Sequence, residues 1–190
     1  MSSRKLLLGI LCVLLGVGSL VSTAQADLII PMDRTQTNHL KAYGLAFKAL
    51  KRGITVSWLL NYRGGSFLVR DTSRARLDAQ LLGVTVETVD QERVAAIRQI
   101  VAQENMDEVL LEKPPRIAVY SPPNMQPWDD AVTLALTYAE VPYDVIYDVD
   151  LLSGKLNDYD WLHLHHEAFT GQYGKFYANF GLEPWYLEQK

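Results

Sequence analysis

Residues 116–167 read RIAVYSPPNMQPWDDAVTLALTYAEVPYDVIYDVDLLSGKLNDYDWLHLHHE, and this stretch decides the fold. The apolar run at 116–121 ends at two prolines, which is typical of a buried strand. A helix follows, with two aspartates at its start, where negative charge is favourable. Apolar runs at 143–149 and 159–165 predict two further strands. The pattern of strand, helix, strand and strand indicates an α/β protein.

The same pattern occurs near the start of the chain. An apolar run at 28–30 is closed by a proline, a helix with apolar residues at helical spacing follows, and a β-branched run at 54–60 predicts the next strand. Strands joined in this way are parallel in nearly all proteins. We therefore predict one α/β domain at 27–190, with βαβ halves at 27–113 and 114–190. Its mostly parallel, flavodoxin-like sheet should carry helices on both faces.

Residues 1–26 have the composition of a signal peptide. Arg4 and Lys5 precede an apolar run, and Ala24-Gln25-Ala26 supplies the small residues that a signal peptidase reads. The alternative is a membrane anchor, but the apolar run is shorter than the roughly 20 residues of a membrane span. We expect cleavage before Asp27, export to the periplasm or the medium, and no stable membrane anchor afterwards.

The composition argues against cysteine enzymes and nucleic-acid binders. Cys12 is the single cysteine of the chain and lies in the leader, so the expected mature chain has no cysteine nucleophile and no disulfide. With two of the 18 basic residues removed, the 22 acidic residues give a net charge of about −6. Nucleic-acid partners favour clustered positive charge instead. Neither a phosphate loop nor a dinucleotide fingerprint occurs, so we expect no cofactor.

Several polar residues follow predicted strands and should meet at one edge of the sheet, where ligands of open α/β sheets bind. Within Arg63-Gly64-Gly65-Ser66, glycines let backbone N–H groups approach an anion while the guanidinium binds it. The same glycines also suit a tight turn without a ligand. The predicted site for a small polar or anionic molecule comprises Asp33, Asn61, Arg63, Gly64, Gly65 and Ser66.

Three of the four histidines lie at the end of the last predicted strand. His163 and His165 are two residues apart, so they share a face and are candidate metal ligands. The alternative for His163 is a hydrogen-bonded side chain in the core. His166 and Glu167, at the strand tip, suit an acid–base pair or a substrate contact, and we predict them as the catalytic residues.

Five segments of the sequence together carry a resemblance to a known family: 31–33 (PMD), 38–44 (NHLKAYG), 58–67 (WLLNYRGGSF), 127–131 (PWDDA) and 165–174 (HHEAFTGQYG). They resemble a family of exported bacterial proteins labelled asparagine synthetase B, whose later half is similar to a class I glutamine amidotransferase domain. In such domains the nucleophile elbow follows a helix after the strand that ends here near His166. The resemblance therefore implies that this chain is truncated before its elbow.

The residues do not support asparagine synthesis. Glutamine-dependent asparagine synthetases use an amino-terminal cysteine and an ATP-binding domain, whereas Asp27 follows the leader here. The sequence predicts an exported, amidotransferase-like α/β protein that binds a small polar or anionic molecule. Two alternatives stay open. One is a metal-assisted hydrolase built on His163, His165 and Glu167, and the other is an envelope protein with a structural or partner-binding role.

Overall fold

The computed structural model describes residues 26–121, 130–164 and 179–189, which form a mixed α/β structure with two β-sheets. The strands are β1 (Asp27–Ile30), β2 (Val56–Leu60), β3 (Ser66–Arg70), β4 (Glu87–Val89), β5 (Asp107–Leu111), β6 (Ile117–Tyr120), β7 (Asp144–Ile146) and β8 (Trp161–Leu164). The α-helices are α1 (His39–Lys51), α2 (Ser73–Leu82), α3 (Gln91–Gln103), α4 (Ala131–Tyr138), α5 (Asp148–Leu152) and α6 (Pro184–Gln189).

The first sheet is antiparallel, so the prediction of a mostly parallel sheet is wrong for this half of the chain. Its order is β4-β1-β3-β2-β5, and every neighbouring pair is antiparallel. β1 and β2 run in the same direction, but β3 lies between them. The cause is the turn after β2, where Asn61, Arg63, Gly64 and Gly65 all have positive φ and reverse the chain at once. Strands β1–β4 thus form a split βαβ arrangement.

Helices cover both faces of the first sheet, as predicted. Alternate side chains of a strand point to opposite faces. Leu28 and Ile30 of β1 therefore pack with α1 and α2, while Ile29 packs with Val94 and Ile97 of α3. This two-sided burial explains why β1 reads as a continuous apolar run although its neighbours are antiparallel.

Each of the four longest helices among the described residues begins at a side-chain cap. Asn38, Thr72 and Asp90 accept a backbone N–H from three residues further on, at the starts of α1, α2 and α3. Asp130 caps α4 in the same way. These caps set where the helices begin, and the last of them also takes part in the site described below.

The second sheet is parallel, as predicted for residues 116–167. Its order is β7-β6-β8, and β6 pairs in parallel with both neighbours. Strand β6, helix α4 and strand β7 form the predicted βαβ unit. On the face covered by α4, Ile117 packs with Ala139 and Val141.

The two sheets meet where α1 packs against the end of α4. Phe47 of α1 lies in one cluster with Ile117 and Ala139. The backbones also approach closely, because a Cβ added to Gly44 would lie 1.9 Å from the Ala139 carbonyl oxygen. Only glycine leaves room for this approach.

A charged contact lies beside the same junction. The carboxylate of Glu140, just after α4, accepts from Lys41 Nζ at 2.8 Å and from Lys48 Nζ at 2.6 Å. These two lysines of α1 lower the pKa of Glu140 to about 2. The junction therefore combines a close apolar contact with two exposed salt bridges.

Strand β5 was not predicted. Its apolar residues include Leu110, which is 57% exposed, so the segment lacks the burial pattern of a core strand. Backbone pairing with β2 holds it at the sheet edge. The chain then passes from β5 in the first sheet to β6 in the second through Pro114-Pro115.

Candidate functional site

The loop after β2 brings the predicted ligand residues of the first half together. The Met32 N–H, just after β1, donates to the Arg63 carbonyl oxygen at 3.2 Å. A Cβ added to Gly64 would lie 2.4 Å from the Met32 carbonyl oxygen, so the two chains are in direct contact. The ends of β1 and β2 therefore meet, and Asp33 lies beside the loop, as the topological argument predicts.

Arg63 is surrounded by acceptors of its own chain. Its Nε donates to Asp33 Oδ2 at 2.6 Å, and its two terminal nitrogens donate to the two Glu87 oxygens at 2.9 Å each. Nη2 also donates to Thr35 Oγ1 at 3.1 Å. An anion at Arg63 would compete with Glu87. The ligand-binding role of this loop stays a prediction, and the contacts also explain Arg63 as a tie between three strand ends.

The other predicted residues of this loop also bind the protein itself. Asn61 Nδ2 donates to a carbonyl between α3 and β5 at 3.1 Å. The Gly65 carbonyl accepts from Trp58 Nε1 at 3.1 Å. Ser66 is fully buried, and its hydroxyl donates to the Arg63 carbonyl at 3.3 Å. Hydrogen bonds to the rest of the protein therefore hold the loop along its length.

Acidification should weaken the hydrogen bonds that Asp33 accepts from Arg63 and Thr35. Hydrogen bonds from Arg63, and then from Thr35, hold the pKa of Asp33 well below its usual range. A group with a depressed folded pKa stabilises the protein above its unfolded pKa, about 3.9 for aspartate, and this stabilisation is lost as the pH falls. We expect Asp33→Asn to lower the free energy of unfolding near neutral pH by about 1 kcal/mol, because the pair is partly exposed and screened.

Urea unfolding near neutral pH and below about pH 3 checks this prediction. The difference between wild type and Asp33→Asn should shrink at the lower pH. Asp158→Asn is the matched control, since this exposed carboxylate lies in no ion pair among the described residues. If the two proteins differed equally in the free energy of unfolding at both pH values, the charge of Asp33 would not be the source of the stabilisation.

A second group of polar side chains lies at the carboxyl ends of β6 and β8. Ser121 follows β6, and its N–H donates to the Ile146 carbonyl at 3.0 Å, so it continues the strand. His163 of β8 pairs in register with Val119 of β6. Because side chains alternate along a strand, Val119, Ser121 and His163 share one face.

Ser121 is a buried hydroxyl without a hydrogen bond. The residue is 2% exposed, and its Oγ is the only buried side-chain nitrogen or oxygen within the described ranges that has no partner. Leaving such a group unpaired costs about 1–3 kcal/mol. Buried polar groups are otherwise satisfied in native proteins, so this one calls for an explanation.

Asp130 joins the start of α4 to His163. Its Oδ1 accepts the backbone N–H groups of Val132 and Thr133, and its Oδ2 lies 2.9 Å from His163 Nε2. Burial opposes the charge of Asp130, but the hydrogen bonds from His163 and from the two backbone groups hold its pKa well below the usual range. Since a carboxylate only accepts, Nε2 carries a proton. The ring is thereby oriented, and Nδ1 binds no atom of the described residues.

The other face of β6 is also polar at this edge. The Tyr120 hydroxyl donates to Asp148 Oδ1 at 2.8 Å, and its ring centroid lies 5.5 Å from that of Tyr147. The carboxyl edge of the second sheet therefore presents hydrogen-bonding groups on both sides.

The predicted catalytic residues His166 and Glu167, and the predicted metal ligand His165, lie outside the described residues, so their roles stay predictions. His163 is partly buried and hydrogen-bonded to Asp130, and its role as a metal ligand stays a prediction. Within 26–121, 130–164 and 179–189, no group of three or more His, Cys, Asp or Glu side chains is placed to hold a metal ion.

Sequence reasoning missed Asp130 and Glu87 as site residues, and it placed Ser121 at the ligand-binding edge of the sheet without assigning it a contact. Asp130 was visible only as a charge suited to the start of a helix. A signal was present for Asp130, because a helix start and a strand histidine both fall at the carboxyl edge of a parallel sheet. No sequence signal marks Glu87, since its contact with Arg63 depends on β4 pairing beside β1.

Comparison with known proteins adds no relative. No family model, curated protein or solved structure matches the chain. Among the described residues, no helix is both long and apolar enough to cross a membrane. The chemistry of the side chains is therefore the basis for a functional proposal.

Proposed function

We propose that the protein binds a small polar or anionic molecule at the carboxyl edge of the second sheet, between the ends of β6 and β8. The observation that carries the proposal is the buried, unpaired Ser121 hydroxyl beside the Asp130–His163 pair. Ligands of parallel α/β sheets bind where the strand order reverses. In the order β7-β6-β8 the chain leaves central β6 for one neighbour and later joins it on the other side, so this gap is such a reversal.

An unpaired hydroxyl at this position suits a ligand that supplies its partner. Strand rise and strand spacing place the Cα atoms of Ser121 and His163 roughly 8 Å apart. A small molecule can contact both side chains across this span. Its hydrogen bond to Ser121 would remove the penalty that the free protein bears.

The imidazole of His163 provides a second contact. Asp130 holds Nε2, so Nδ1 of the neutral ring is an acceptor for an O–H or N–H of the ligand. We therefore assign Ser121 and His163 as ligand contacts and Asp130 as the residue that positions His163.

We also propose a flavodoxin-like fold for the second half and an amidotransferase-like family for the chain. The order β7-β6-β8 is the order of the first three strands of a flavodoxin-like sheet, which supports that fold for the second half. The segments that resemble the asparagine synthetase B family, and the leader-like residues 1–26, support an exported, amidotransferase-like protein. Asparagine synthesis is not part of the proposal, because the single cysteine is Cys12 in that leader.

Ser121→Ala tests the proposal. Because it removes an unpaired buried hydroxyl, we expect the free energy of unfolding without ligand to stay level or rise by up to about 1 kcal/mol. The rise in melting temperature that a bound molecule causes in the wild type should disappear. L-glutamine, L-glutamate and L-asparagine are the probes in thermal unfolding, as the resemblance suggests.

Ser153→Ala is the matched control, since the Ser153 hydroxyl is exposed and donates to the Asp150 carbonyl at 2.8 Å. This variant should keep the full ligand-induced shift. A clear loss of stability in ligand-free Ser121→Ala would show that the hydroxyl has an internal partner, and that result would overturn the proposal. A full ligand-induced shift in Ser121→Ala would overturn it as well.

A further inference from the structure

A polar cleft lies on the α3 face of the first sheet, at the edge opposite to the Arg63 loop. Helix α3 begins after β4 at one side of the sheet and reaches β5 at the other, where Arg98 binds Glu108. Beside this path, Thr55 just before β2 and Arg70 at the end of β3 remain exposed. The resulting cleft is open to solvent and has a volume of about 570 Å³, within the size range of small-molecule sites.

The floor of the cleft comes from neighbouring strands. Ser57 of β2 and Leu68 of β3 are register partners, and both line it. The rim is polar and includes Thr55, Arg70 and Arg98. A ligand here would meet one small apolar area surrounded by hydrogen-bonding groups.

The charge of Arg98 is already matched. Its guanidinium donates to both oxygens of Glu108, with distances of 3.0–3.3 Å. The hydrogen bonds to Glu108 raise the pKa of Arg98, and the charge of Asp27 adds to the effect. Arg98 therefore contributes hydrogen-bonding capacity to the cleft but little free positive charge.

Arg70 is different. It is exposed at the end of β3, and no ion pair joins it to any residue in the described ranges. Its register partner is Asp27, but the Asp27 carboxylate lies toward Gln91, with 3.4 Å between Oδ2 and Nε2. Within the described part of the chain, Arg70 is thus a guanidinium of the cleft whose charge is not matched by a bound carboxylate.

We propose that this cleft binds a small, hydrophilic monocarboxylate. The ligand carboxylate takes two parallel hydrogen bonds from Arg70, the geometry in which guanidinium and carboxylate fit best. Further hydroxyl or amide groups of the ligand contact the polar rim at Thr55 and Arg98. A single negative charge fits better than two, because Asp27, which lines the cleft, and Glu108, which is paired with Arg98, repel a dianion.

Isothermal titration of the purified protein with sodium gluconate, at constant ionic strength, tests the proposal. Gluconate has one carboxylate and several hydroxyl groups, whereas sorbitol is a similar polyol without charge and inorganic phosphate carries more charge. We expect gluconate to bind more tightly than either. Arg70→Met should weaken gluconate binding about tenfold or more.

Two further variants make the test specific. Arg93→Met removes the same charge from an exposed position of α3 that does not line the cleft, and it should leave gluconate binding unchanged. Thr55→Trp fills the cleft without a change of charge and should abolish binding.

Three results would overturn the proposal. The first is equal binding of sorbitol or phosphate and gluconate. The second is an equal loss of affinity in Arg70→Met and Arg93→Met, which would indicate unspecific attraction to surface charge. The third is the absence of any gluconate heat with the wild-type protein.

Discussion

Asp130→Ala is expected to lower the free energy of unfolding by about 2–4 kcal/mol. The substitution removes the cap of α4, which is worth about 1 kcal/mol. It also leaves the half-buried His163 ring without its carboxylate. The loss is smaller than for a buried arginine, because a histidine can stay neutral and avoid an unpaired charge. Urea unfolding near neutral pH measures the change.

Asp90→Ala separates the two contributions. Asp90 caps α3 by accepting one backbone N–H, whereas Asp130 accepts two. Asp90 is also exposed, and it has no histidine partner among the described residues. It should cost about 1 kcal/mol, the value of a cap alone. Asp130→Asn keeps a good cap and loses the charge, so it should fall between the wild type and Asp130→Ala. Equal losses in Asp90→Ala and Asp130→Ala would mean that the contact with His163 contributes nothing.

The Asp130 contact should also depend on pH. Because the folded pKa is depressed, the carboxylate stabilises the protein above its unfolded pKa of about 3.9, and this stabilisation disappears as the pH falls further. The difference between the wild type and Asp130→Asn should therefore narrow in acid. The sign is the same as for Asp33, although Asp130 is the more buried group.

Gly44→Ala is expected to destabilise the protein by about 2–3 kcal/mol, the cost of forcing a methyl group into a filled contact. The sign of this change in stability identifies the close contact, since a change from glycine to alanine within a helix normally stabilises the protein by up to about 1 kcal/mol. Here the new Cβ would lie 1.9 Å from the Ala139 carbonyl oxygen, which is backbone and cannot rotate away. Helix α1 and the end of α4 must therefore separate.

Hydrogen exchange shows whether the junction is what opens. Amides of α4 should lose protection in Gly44→Ala, while those of α3, on the far face of the first sheet, should change little. Gly53→Ala is a useful comparison, because Gly53 has φ +74° and nothing lies within 4 Å of an added Cβ. It should cost only the backbone strain, about 1 kcal/mol. A neutral or stabilising Gly44→Ala would disprove the close approach.

The hydrophobic pattern predicted the order of strand, helix and strand in both halves of the chain, but it predicted the strand pairing in only one half. The order strand, helix, strand occurs in both, and the elements were predicted in both. In the second half the prediction of parallel pairing is confirmed, because α4 carries the chain from β6 to its direct neighbour β7. In the first half β3 occupies that place, because the loop from Asn61 to Gly65 turns within a few residues. Hydrophobic pattern alone does not distinguish these outcomes.

The contacts in the candidate sites also divide into those that the sequence predicted and those that it did not. The meeting of Asp33 with the Arg63 loop was predicted, since it requires only that β1 and β2 point in one direction. The partner of Arg63 was not predicted, because Glu87 reaches it only through the pairing of β4 with β1. The cleft at Arg70 has no sequence signal, since it results from the diagonal path of α3 across the sheet.

The sequence by itself determined the order of strand, helix and strand in both halves and the edge at which β1 and β2 end, because these follow from local residue preferences and from strand direction. It also marked residues 116–167 as a βαβ segment ending in histidines. Only the tertiary structure decided strand order, the pairing of Asp130 with His163 and the burial of Ser121. These depend on which distant segments become neighbours, and that choice is made by packing and register over the whole chain.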